Sequence, residues 1–246
     1  MRAFCWRCFW PQERCWCGEI SAQPVNTHFV FLMHPKEFKQ EKAGTGRLTA
    51  LSLAGSSIEM GIGFDDHPAV NRLIDDPRNF PVLLYPSPGA MNVSEGGLDP
   101  AVLGDRLLVV FLLDATWACA KKMLTQSTRL QTLPKLMFTP VEKSRFVIKR
   151  QPHEWCLSTL EATHQLLGAL AASGLDGYPD PLALPTLFEK MQAFQIACAS
   201  DPARSGYRKK PYKSPDQRTS LPYPRQGKGK RSLFWRPADQ TTRMAP

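Results

Sequence analysis

Seven consecutive apolar residues, Leu107 to Leu113, end abruptly in Asp114-Ala115-Thr116-Trp117. A continuous apolar run of this length reads as a buried strand of a sheet covered on both faces. Its exit delivers a carboxylate, a hydroxyl and an indole to one sheet edge. The following residues, Trp117 to Thr125, read as a short helix carrying Lys121 and Lys122. In α/β proteins ligands bind beyond the carboxyl ends of the strands, so this junction is the first place to look for chemistry.

Other segments frame it. His28 to Met33 reads as a strand that stops at His34-Pro35, because proline cannot donate to a ladder. Phe80 to Tyr85 is a second buried strand, leaving through the stiff turn Tyr85-Pro86-Ser87-Pro88-Gly89, and Arg145 to Arg150 reads as a fourth. Thr45 is placed as the N-cap of a helix continuing through Leu48, Leu51 and Ser52. Ser158 followed three residues later by Glu161 fits a capping box, with Leu160, Leu167, Leu170 and Ala171 as the apolar face behind it. Pro185 is placed at the first position of a further helix whose core stripe is Leu187, Phe188, Met191, Phe194 and Cys198. Residues 55–79 read as irregular, with helix starts near Pro68 and Pro77. Their paired carboxylates, Asp65-Asp66 and Asp75-Asp76, point only faintly to a metal. His34 and Glu37 could form an acid/base pair but read better as surface polar residues fixing the strand exit. Arg47 in the first turn of a helix opposes the helix dipole and asks for a nearby anion.

Four of the seven cysteines fall within thirteen residues: Cys5-x-x-Cys8, then Cys15-x-Cys17. Two short hooks of thiolates suit a tetrahedral soft-ligand site such as Zn²⁺, and four protein ligands leave no open position, so the expected role is structural. The N-terminus has Cys, Trp and Arg where a signal peptide needs an apolar core, which argues against a disulfide framework. The longest apolar run is far too short for a membrane span. The expectation is a soluble, cytoplasmic protein.

The net charge of +9 is unevenly placed. Residues 204–246 hold 12 Lys and Arg against 2 Asp and Glu, so the remainder is close to neutral. The tail lacks the apolar content for a core and reads as disordered when free. Its basic residues suit phosphates, and Tyr207, Tyr212, Tyr223, Phe234 and Trp235 can stack on unpaired bases, so RNA is the expected partner. No Walker A and no G-x-G-x-x-G pattern occurs, which argues against ordinary nucleotide sites. The organisation expected is a four-cysteine zinc-binding hook at 1–24, a catalytic domain at 25–203 and a basic tail at 204–246.

Taken together, Cys5-x-x-Cys8…Cys15-x-Cys17, His34-Pro-Lys-Glu37, Thr45-Gly-Arg47, Tyr85-Pro86, Asp114-x-Thr116-Trp117 with Lys121, and Leu157-Ser-Thr-Leu-Glu-Ala162 resemble the DTW-domain family, the tRNA-uridine aminocarboxypropyltransferases. The resemblance covers about residues 5–165 and does not extend to the basic tail. It implies a SPOUT-like α/β fold: a mostly parallel sheet flanked by helices, of the kind that can carry a C-terminal trefoil knot, with the small zinc hook ahead of it. It implies S-adenosylmethionine as donor of a 3-amino-3-carboxypropyl group to N3 of a tRNA uridine, leaving 5′-methylthioadenosine. Asp114, Thr116 and Trp117 would be catalytic, Asp114 either taking the N3 proton or pairing with the donor's ammonium group. Tyr85, Pro86, Leu113, Asp114, Leu157, Ser158, Thr159 and Glu161 would form three loops around the donor. Arg47 and Lys121 would contact RNA, and the charge of the tail, apart from the resemblance, adds Arg208, Lys209 and Lys210 as expected RNA contacts. The alternatives are a SPOUT-type RNA methyltransferase and a non-catalytic zinc-containing RNA-binding module. Many SPOUT folds dimerise, and a monomer is equally compatible with these residues.

Overall fold

The structure, a computed structural model, describes residues 3–40, 44–149 and 155–204. Six strands form one sheet: β1 (His28–Met33), β2 (Ser57–Met60), β3 (Asn79–Leu84), β4 (Met91–Asn92), β5 (Leu107–Asp114) and β6 (Lys135–Met137). Their order is β2-β1-β5-β3-β6-β4, and every neighbouring pair is parallel. The apolar run is therefore an interior strand. Met33 of β1 stands opposite Asp114, and Leu83 of β3 opposite Phe111. Among the described residues, eight helices flank the sheet: α1 (Pro35–Gln40), α2 (Thr45–Leu51), α3 (Pro68–Asp75), α4 (Pro100–Leu103), α5 (Trp117–Thr125), α6 (Thr128–Thr132), α7 (Thr159–Ala172) and α8 (Ala183–Ser200).

The two-residue period of a strand divides its side chains between two cores. Phe29, Phe31, Val82, Val110 and Leu112 face a layer built from α2, α7, α8 and the cysteine hook. Val30, Leu32, Leu83, Val109 and Phe111 face α3, α5 and α6 through Phe64, Val70, Met123 and Leu130. Full burial of a side chain such as Phe111 stabilises the fold by about 1.5–3 kcal/mol. A strand with no polar face inside the sheet has to be apolar at every position, which is the pattern of residues 107–113.

Several expectations change. Residues 145–149 are not a strand. Phe146 and Ile148 are buried at alternate positions, which imitates one. Their backbone instead bonds to side chains: Arg145 N donates to Glu161 Oε1, Phe146 N to Ser144 Oγ and Val147 N to Gln192 Oε1. Residues 55–79 contain the edge strand β2 and the helix α3, which starts at Pro68 as expected, while no helix starts at Pro77. Gly44, not Thr45, is the N-cap of α2. Pro185 lies third in α8, still within the first turn where its missing N–H costs nothing.

Three of the four paired carboxylates, Asp65, Asp75 and Asp76, serve structure. Asp65 accepts from Thr128 N, Thr128 Oγ1 and Arg129 N, capping α6 from 63 residues away, and these bonds hold its carboxyl below the usual range. Asp75 pairs with Arg129, and Asp76 with Arg78. Asp176 clasps the entrance to β1, accepting from Asn26 N at 2.7 Å and Thr27 N at 2.8 Å. Asp176→Ala removes an acceptor from the exposed Asn26 N and the part-buried Thr27 N and is expected to lower stability by about 0.5–1.5 kcal/mol. Thermal unfolding should then show a fall in Tm of several degrees; an unchanged Tm would mean that the clasp contributes nothing to stability.

Candidate active site and cysteine centre

Asp114 is the last residue of β5 and only 6% exposed. A buried carboxylate needs donors, and α7 supplies one. Thr159 Oγ1 donates to Asp114 Oδ1 at 2.6 Å, a short, charge-assisted bond. From α2, Gly46 packs so closely on the same carboxylate that a Cβ there would fall inside it. From β1, His34 N donates to the Asp114 carbonyl at 3.0 Å. Three segments distant in sequence thus close on one strand exit.

Beside Asp114 opens a cavity of about 550 Å³ at the carboxyl edge of the sheet, ample for a nucleoside-sized ligand. The predicted residues Tyr85, Pro86, Leu113, Asp114, Thr116, Trp117, Leu157, Ser158 and Thr159 all line it. The three loops that the sequence placed in separate segments therefore share one chamber. Phe138, Phe146 and Trp155 complete an aromatic wall, and none of them stands out in the sequence, since each lies outside helix and strand in the strap between β6 and α7, described at 138–149 and 155–158.

Some predicted residues have local structural duties. Thr116 is the N-cap of α5, its hydroxyl facing Cys119 N at 3.4 Å. Ser158 and Glu161 form the capping box of α7. Glu161 does not line the cavity: its carboxylate accepts from Ser158 N, Arg145 N and Ser144 Oγ, and so ties the strap to α7. His34 is buried; burial first, then Lys36 and Lys122, lowers its pKa, and Nδ1 accepts from Lys36 N. Glu37, expected as a surface residue, lines the cavity and pairs with Lys149 at 3.5 Å.

Cys5, Cys8, Cys15 and Cys17 gather with all four sulfurs within 4.8 Å of one another, the Cys5–Cys17 and Cys8–Cys15 separations each being 3.8 Å. A tetrahedral site with metal–sulfur bonds of about 2.3 Å requires sulfur separations of about 3.8 Å, so the cluster could hold a metal ion such as zinc. The knuckle turns at Phe9, which adopts φ 60°, a left-handed conformation uncommon outside glycine. Behind it, Trp10 and Trp16 meet edge to face and both pack on Phe194 of α8. Burial raises the Cys8 and Cys17 thiols, whereas backbone N–H groups of Cys8 and Arg7 lower Cys5. A divalent cation would hold all four as thiolates.

Arg47 joins hook and cavity. Its guanidinium lies 3.8 Å from the ring centre of Phe9 in the knuckle and 4.2 Å from that of Phe38 in α1. Burial lowers its pKa, opposed first by the nearby Asp114 carboxylate, the anion that its place in a first helical turn asks for. Arg47, expected as an RNA contact, lies over both rings, whose centres are 5.5 Å apart. Lys121 is exposed on α5. Arg208, Lys209 and Lys210, with the rest of the tail from 205, lie outside the described residues. Among the described residues, no helix is long and apolar enough to cross a membrane, and no other cluster of His, Cys, Asp and Glu could hold a metal.

Fold and site together define a parallel α/β protein with a ligand chamber at the strand ends and a four-cysteine centre packed against it. Residues 2–196 match the DTW domain, and the chain belongs to that family. It is similar to tRNA-uridine aminocarboxypropyltransferase 2 of Drosophila melanogaster, with 33% identity over 173 residues, 68% of this chain and 66% of that protein. Proteins of the same name from Macaca fascicularis and Mus musculus are each 28% identical over 69% of this chain. The match spans only 57% of each of those two relatives. No solved structure matches the chain.

Purified protein is expected to contain about one metal ion per chain, lost on Cys8→Ser or on prolonged chelation, with loss of the near-ultraviolet signal of Trp10 and Trp16. A metal-free protein with an intact signal would contradict a metal centre.

Proposed function

We propose that this protein is a tRNA-uridine aminocarboxypropyltransferase that uses S-adenosylmethionine as donor. The carbon–sulfur bond to the donor's aminocarboxypropyl group breaks as a bond forms from that carbon to N3 of a tRNA uridine. The N3 proton leaves, and neutral 5′-methylthioadenosine departs. What supports this most is the chamber at Asp114, whose walls are the three loops carrying the family's own motifs. The names of the relatives support the transfer of an aminocarboxypropyl group to a tRNA uridine.

The sulfonium already activates its carbon, so the enzyme has mainly to orient two reactants and remove one proton. Asp114 serves as the base toward N3, its orientation fixed by Thr159 and by the close backbone of Gly46. Tyr85, Trp117 and Trp155 offer flat surfaces for adenine and uracil. The four cysteines hold zinc in a structural role, keeping Phe9 against Arg47 and so supporting α2 beneath Asp114. The basic tail draws in tRNA.

Incubated with S-adenosylmethionine and unmodified tRNA, the protein should release methylthioadenosine. Asp114→Asn should lower that release by about 10²-fold or more with tRNA affinity unchanged. Release of S-adenosylhomocysteine would make the protein a methyltransferase. If instead neither product formed and removal of 204–246 abolished RNA binding, it would be a binding module.

A further inference from the structure

Glu37 and Lys149 are separated by more than a hundred residues and meet on the cavity wall at 3.5 Å. The Glu37 side chain is 10% exposed and that of Lys149 35%. Charges set into a largely apolar wall are costly unless they meet opposite charge there. Among the described residues, the only other charged side chain on the lining is Asp114. The chamber thus presents two carboxylates and one ammonium. Glu37 stands in the helix that follows β1, and β1 ends opposite Asp114, so both carboxylates sit at the exits of adjacent strands.

S-adenosylmethionine carries the complementary set: a sulfonium and an ammonium, both positive, and one carboxylate. Resting on the function proposed above, we infer that Glu37 and Lys149 together form the site for the zwitterionic end of the donor. Lys149 Nζ takes the donor's carboxylate and Glu37 its ammonium, leaving Asp114 beside the sulfonium and the reacting carbon. The Glu37–Lys149 pair sets a carboxylate and an ammonium side by side, the complement of the ammonium and carboxylate that a zwitterion presents. A donor held by both ends of its amino acid part exposes the aminocarboxypropyl carbon, and not the methyl carbon, to the acceptor. Glu37 and Lys149 are in this sense specificity-determining residues for the group transferred.

The test is calorimetric binding of three nucleosides to the full-length protein: S-adenosylmethionine, decarboxylated S-adenosylmethionine, which lacks the carboxylate, and methylthioadenosine, which lacks the whole zwitterion. Lys149→Met should weaken S-adenosylmethionine about tenfold or more, leaving the other two within about twofold. Glu37→Gln should weaken both ammonium-bearing ligands and spare methylthioadenosine, while Lys149→Arg should keep wild-type affinities. Retained methylthioadenosine binding certifies that each variant is folded. If Lys149→Met weakened all three ligands equally, the pair would be a latch between α1 and the strap, and the inference would fail. It would fail also if no affinity changed. Wild-type protein that bound none of the three would sink the proposed function itself, and this inference with it.

Discussion

A carboxylate buried at the end of an interior strand has to be met by groups that the chain brings from elsewhere. Asp114 is met by Thr159 from α7, by the Gly46 backbone from α2 and, through its carbonyl, by His34 at the exit of β1. Each partner fixes an element: Thr159 the start of the long helix whose capping box anchors the strap, Gly46 the helix carrying Arg47, His34 the turn into α1. The chamber is the space these elements leave when they close on one residue. An interaction that would be weak on the surface acts here as an organising constraint, because Asp114 is only 6% exposed.

The cysteine hook extends that arrangement outward. Cys5 and Cys8, with Trp10 and Trp16, belong to the same core as Leu112 of β5 and Leu160 of α7. Phe9, set by the knuckle, stacks on Arg47, which also lies over Phe38 of α1. The hook is therefore continuous with the body of the fold, consistent with a family match that runs from residue 2 to residue 196.

Much of this was legible in the sequence where physics is local. The strand at 28–33, the strand near 80–84 and the apolar run at 107–113 followed from hydrophobic pattern, and the capping box at Ser158 and Glu161 from spacing. The cysteine spacing predicted the four-sulfur cluster. What failed was non-local. Residues 145–149 alternate like a strand, yet Glu161 and Gln192 take their backbone N–H groups. The strands β4 and β6 are two and three residues long, too short for any period to register. Asp65 and Asp176 act across 63 and 149–150 residues, and no spacing rule reveals a cap that arrives from another element. Glu37 was visible as a residue but not as a cavity wall, because its partner Lys149 lies in the misread strap.

If the chamber at Asp114 builds an aminocarboxypropyl uridine in tRNA, that nucleoside depends on the gene in cells. Mass spectrometry of nucleosides from tRNA of cells lacking the gene reads this without intermediate steps. Aminocarboxypropyluridine should fall on deletion, return with the wild-type gene and stay low with a gene carrying Asp114→Asn. A nucleoside profile unchanged by the deletion, or restored equally by the Asp114→Asn gene, would contradict that role for the chamber.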